Sequence, residues 1–204
     1  MKKKLTVSIL IVTILLGAIS MTALVMRNSK QSSHSVSHSS SSHKQESYKK
    51  TIELDQVYEY TIHEINCYFI LKSDGSYIYI EDKAGIYENE ADLGEKENEE
   101  ESVIYPSVNY TIGTYTSNGK NYTTTLKNST ILYFKNVINF KSGRYFEKES
   151  KKLDIQNSLK ISSKGYIDQN SDLIKLRKSN YFIPDSEKQF LDQYTYDPST
   201  KDDR

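Results

Sequence analysis

The chain has 204 residues, of which 36% are hydrophobic; 27 basic residues balance 27 acidic ones, and there is one cysteine, Cys67. A lone cysteine excludes an internal disulfide, so any exported domain has to be held by its core alone. The neutral total hides a division: from residue 51 onward 19 basic residues face 26 acidic ones, a net of −7, which excludes general electrostatic attraction to nucleic acid or to an anionic membrane surface.

Three lysines follow Met1, and the next 22 residues, Leu5 to Met26, carry no charge. As a helix, this run would span about 33 Å, enough for a hydrocarbon core of about 30 Å. A helix apolar on every face needs apolar surroundings on every face, which disfavours a place in a soluble core. The expected partner is the lipid bilayer, with Leu5 and Met26 as the segment ends. The lysines stay inside, so everything C-terminal lies outside. The run exceeds the roughly 7–15 apolar residues of a secretory signal, and Ala18-Ile19-Ser20 is its one fair cleavage site; retention as an anchor is favoured over cleavage and secretion.

Residues 27–50 read RNSKQSSHSVSHSSSSHKQESYKK. Such a segment buries too little apolar surface to offset its ordering entropy, so a disordered tether is expected. His34, His38 and His43 are metal-ligand types, but no carboxylate or thiolate supports them and a disordered chain would have to assemble the site. A polar spacer is the better reading.

The body, residues 51–196, consists of short segments rich in Tyr, Ile, Val, Thr and Phe, types that suit a pleated, half-buried surface. QVYEYTI, from Gln56 to Ile62, opens the series. CYFILK-SDG-SYIYIE follows, with Asp74-Gly75 at the turn, and then VNYTIGTYT-SNGKN-YTTTLK, with Asn118-Gly119 at the turn. TILYFKNVINF is expected to break at Asn136 into two arms. GRYFEKE, KLDIQ, SLKIS and LIKLRK complete about eight to ten strands. The sequence reads as an all-β fold, an antiparallel meander closing as a small barrel or sandwich, with no long segment of helical period between strands. At the end, DSEKQFLDQY is expected to form a short helix capped at Asp185 or Ser186, with Phe190, Leu191 and Tyr194 as its apolar stripe. The tail, 197–204, is expected to fray.

Three features invite chemistry. Glu88 to Ser102 holds eight acids and one base, Lys96, but lacks the spacing of a calcium loop and is expected to be a solvated loop. His63 and Cys67, four apart along an extended chain, would stand about 13 Å from each other, beyond hydrogen-bond reach, and Cys67 is expected to be a small buried hydrophobe. No catalytic residue, cofactor or metal site is therefore expected. The 17 tyrosines suit a wet binding surface or the rim of a cup, and equally suit ordinary strands. Asn109-Tyr110-Thr111, Asn121-Tyr122-Thr123 and Asn128-Ser129-Thr130 match the N-glycosylation acceptor, which matters only in a eukaryotic secretory pathway.

LKSDGSYIYI, YTIGTYTSNGKNYTTTL with its Gly113-Thr114-Tyr115, and KGYIDQNSDLIKLRK together resemble the layout of small bacterial lipocalin-like domains over roughly Gln56 to Lys178. The N-terminal prefix resembles those of cell-surface proteins of low-GC Gram-positive bacteria. The resemblance implies a barrel around a small apolar ligand and assigns no lining residue. Tyr115 stands where that family often has Trp, and the lipid-anchoring cysteine frequent in it has no counterpart here. The sequence therefore points to a non-enzymatic extracellular binding module on a membrane anchor. The alternative is an envelope structural or assembly protein that contacts another envelope protein.

Overall fold

The computed structural model describes residues 51–162 and 165–200. The Leu5–Met26 segment, the tether with His34, His38 and His43, and the last four residues lie outside them. Among the described residues no helix is long and apolar enough to cross a membrane.

In chain order the elements are β1 (Val57–Ile62), β2 (Ile65–Leu71), β3 (Ser76–Asp82), α1 (Glu90–Glu100), β4 (Ser107–Ser117), β5 (Asn121–Tyr133) and α2 (Val137–Lys141). β6 (Arg144–Tyr145), β7 (Glu147–Ser162), β8 (Gly165–Asp168), β9 (Leu173–Ile174), β10 (Arg177–Lys178), α3 (Glu187–Leu191) and β11 (Thr195–Tyr196) follow. A 3-10 turn, Pro198–Thr200, ends the series. Nine strands form one antiparallel sheet in the order β10-β1-β2-β3-β4-β5-β7-β8-β9; β6 and β11 make a small parallel pair. The glycine turns fall where the sequence places them, with Gly75 and Gly119 at φ +87° and +81°. The β1–β2 turn uses His63 and Glu64, both at positive φ, in place of glycine.

Lys175 and Leu176 alone separate β9 from β10, yet β9 pairs with β8 and β10 with β1. One short segment thus ties together the two ends of the sheet, which has to curl into a half-barrel to allow it. Residues from both ends consequently meet on the concave face: Tyr58 of β1, Phe69 and Leu71 of β2, Tyr77 of β3, Tyr122 of β5 and Tyr166 of β8 form one buried cluster. On the convex face Ile70, Ile78, Ile80, Val108, Tyr110 and Leu132 pack under the C-terminal segment, which contributes Ile183 and Phe190. Ser186 caps α3 through Gln189 N, Phe190 stacks on Tyr110 at 4.9 Å, and the Tyr110 hydroxyl donates to Pro184 O at 3.1 Å. The C-terminal helix therefore packs on the sheet from outside.

Several expectations change. The acidic run is a helix and not a loop. Asn89 caps α1 by accepting from Ala91 N and Asp92 N, Glu90 and Asp92 sit at the positive end of its dipole, and Leu93 anchors it against Tyr87 and Val137. The strand ends at Tyr133 and Asn136 is the cap of α2: its side chain accepts from Asn139 N at 2.9 Å, so the second arm is a helical turn. KLDIQ and SLKIS fuse into the 16-residue β7, whereas LIKLRK splits into β9 and β10. The first residues of the tail are pinned, since Asp197 N donates to Tyr145 O at 2.8 Å.

Candidate binding face

Pairing register places the concave side chains in rows that run across the strands. One row reads Tyr60, Cys67, Glu81, Asn109, Ile131 and Glu149. The next reads Tyr58, Phe69, Tyr79, Thr111, Ser129 and Lys151, and a third contains Leu71, Tyr77, Gly113, Leu126 and Ile155. Side chains alternate across a strand, so the sequence SYIYIE sends Tyr77, Tyr79 and Glu81 to this face and Ile78 and Ile80 to the core behind it.

Rings and aliphatic side chains pack together from Tyr58 and Phe69 of the second row through Leu71 and Tyr77 of the third to Tyr122 and Tyr166. The polar groups lie in the first row and in the β4–β7 part of the second, whereas Tyr58 and Phe69, at the β1–β2 side of the second row, belong to the ring cluster. Asn109 is the hub of the polar groups: its Oδ1 accepts from Ser129 Oγ at 2.6 Å and from Thr111 Oγ1 at 3.3 Å, while its Nδ2 donates to Glu81 Oε2 at 3.5 Å. Lys83 pairs with Glu81 at 3.3 Å; Tyr133 donates to Glu149 at 3.3 Å, and Lys151 pairs with the same carboxylate at 2.9 Å. Beside them Tyr79 donates to Cys67 Sγ at 3.1 Å and lies parallel to Tyr77.

Glycine at position 113 shapes this face. A methyl group there would lie 2.0 Å from the Thr125 carbonyl oxygen, and the β4–β5 register shifts at this point. Only a residue without Cβ lets β5 approach so closely, and a bulge at such a site sharpens the twist that curls the sheet. Tyr115, two residues on, donates to Lys72 O at 3.0 Å and fixes the neighbouring hairpin.

Protonation states follow from burial. Cys67 is wholly buried and desolvation pushes its thiol up to about 11. Burial likewise raises Tyr60, Tyr77 and Tyr79, so these hydroxyls keep their protons. A neutral thiol that accepts a hydrogen bond is a poor nucleophile.

His63 and Cys67 are not brought together along a continuous strand: His63 occupies the exposed β1–β2 turn. The acidic residues of α1 lie away from the concave face. Glu90 accepts from Ile138 N at 2.8 Å and Lys141 donates to Glu88 O at 2.6 Å, beside an open hollow of about 410 Å³ between α1 and α2. Among the described residues no three His, Cys, Asp or Glu side chains are grouped so that they could hold a metal ion. Two of the glycosylation-type triplets instead supply the hub, through Asn109, Thr111 and Ser129. Sequence reasoning passed over these three; their alternation within β-rich segments was the available signal. No family model, curated protein or solved structure matches this chain.

Proposed function

We propose that this chain is a non-enzymatic binding module displayed outside a membrane, with Leu5–Met26 as anchor or export segment and the polar half of the concave face as its contact surface. The carrying observation is the hydrogen-bonded lattice centred on Asn109, flanked by Tyr60, Tyr79 and Tyr133. Aromatic faces next to amide, hydroxyl and carboxylate groups suit a hydroxyl-rich ligand, whose C–H faces stack on rings while its hydroxyls exchange places with first-shell water. An envelope saccharide meets that description better than the small apolar ligand implied by the lipocalin-like resemblance, because rings and aliphatic side chains already fill the apolar end of the face. The buried, protonated thiol of Cys67 and the place of His63 in the exposed β1–β2 turn support binding without catalysis.

The test is calorimetric titration of the full chain in detergent micelles with soluble cell-wall oligosaccharides, alongside a fatty acid as apolar probe. Saccharide binding that falls at least tenfold in Asn109→Ala, with the melting transition retained, agrees with the reading. Binding of the fatty acid alone, or saccharide binding untouched by this substitution, overturns it. A second reading, an envelope assembly protein, draws on a different observation: Glu147–Ser158 of β7 has no strand on its outer side among the described residues.

A further inference from the structure

We infer that the chain associates with a second copy of itself through the free edge of β7, the two strands running antiparallel about Leu153. β7 is paired with β5 on both sides of a register shift at which Leu153 and Asp154 have no partner on β5, but β8 covers only Leu159–Ser162 on the other side. Twelve residues, 147–158, therefore present backbone groups with no strand partner on that side among the described residues, and most of their side chains are exposed. An edge this long is normally guarded by charge or joined by another strand. The order of its charges distinguishes these cases.

Directly opposed residues in an antiparallel pair point to the same face. For a strand meeting its own copy, opposed residue numbers must then add to an even value. Centring the pair on Leu153 sets Leu153 against Leu153 of the second copy. Lys152 then faces Asp154 of the second copy, and the two-fold axis repeats this pair on the other side. Lys151 meets Ile155, Ser150 meets Gln156, and Glu149 meets Asn157, so no like charges are opposed. A centre one residue earlier sets Lys152 on Lys152, and one residue later Asp154 on Asp154. The sequence thus selects one register against its neighbours.

Two further observations fit. Lys152 has no ion-pair partner among the described residues, whereas Asp154 is 84% exposed while it pairs with Lys127 at 2.9 Å. Asp154 therefore has room to accept a second cation. Ile155, 48% exposed, gains cover from the aliphatic stem of Lys151 across the axis. Pairing would join two half-barrels into one continuous sheet. This inference is independent of the saccharide reading, since it uses the strand edge and not the Asn109 lattice.

The experiment is oxidative cross-linking of the full chain in membranes. Leu153→Cys places two thiols face to face at the axis, while Lys148→Cys holds them about 33 Å apart along the strands. Cys67 is buried and gives little background. A disulfide-linked dimer at position 153 and none at 148 is expected. In the Leu153→Cys background, Lys152→Asp or Asp154→Lys alone opposes like charges and should cut the dimer at least fivefold; the double exchange restores opposite charges and should recover it. Equal cross-linking at both positions, no dimer at position 153, or failure of the double exchange to recover it overturns the inference. Circular dichroism of each variant confirms that the sheet is intact.

Discussion

Replacing Gly113 by alanine should loosen the curl on which the concave face depends. The added methyl would sit 2.0 Å from Thr125 O, 2.9 Å from Thr125 C and 3.0 Å from Leu126 Cα, all backbone atoms that no rotamer change can move away. Restoring ordinary contact requires β5 to retreat by about 1.4 Å at the bulge. That movement strains or breaks about two ladder hydrogen bonds, at about 0.5–1.5 kcal/mol each, in addition to overpacking strain of about 1–3 kcal/mol. A loss of about 3 kcal/mol lowers the melting temperature of a domain this size by about 6–12 °C. Gly75→Ala is the control: it meets nothing within 4 Å and is penalised only for its left-handed backbone, by about 1–2 kcal/mol. Thermal denaturation of the full chain, followed by circular dichroism, reads both variants. A Gly113→Ala protein melting within about 2 °C of the parent would show that the close β4–β5 approach does not shape the sheet.

Phe190→Ala should also be costly, because the ring is 1% exposed, stacks on Tyr110 and meets Tyr194 edge-on at 5.4 Å. A loss of about 3–5 kcal/mol is expected, with limited proteolysis cutting first in the 180–196 segment that the ring pins to the sheet. The domain should be sensitive to alkali. The folded state holds the Cys67 proton up to about pH 11, against an ordinary thiol value of 9.0, so the contribution of this group is complete below about pH 9 and is lost as pH rises through 11. Two units correspond to about 3 kcal/mol. Buried tyrosines add to the trend above pH 10, and Cys67→Ser should flatten the decline between pH 9 and 10 in urea titrations.

Much of the sheet was legible because its causes are local. Asp74-Gly75 and Asn118-Gly119 supply turn conformations whatever surrounds them, and SYIYIE alternates because strand geometry does. Ser186 and the Phe190–Leu191–Tyr194 stripe announced α3 by the same kind of short-range rule. The cap of α1 was local too, but eight acids outweighed it in a reading by composition. The helix is held where Leu93 meets Val137, 44 positions further along the chain.

The sequence alone determined where the glycine turns fall and which side chains of each strand share a face, since both depend on neighbours within a few residues. Only the tertiary structure decided that β9 and β10 tie the two ends of the sheet together, that Asn109 gathers Glu81, Thr111 and Ser129, and that β7 keeps a free edge. The β1–β10 pairing joins positions about 120 apart, and the Asn109 side chain reaches Ser129 and Glu81, 20 and 28 positions away. No window of local sequence contains both partners.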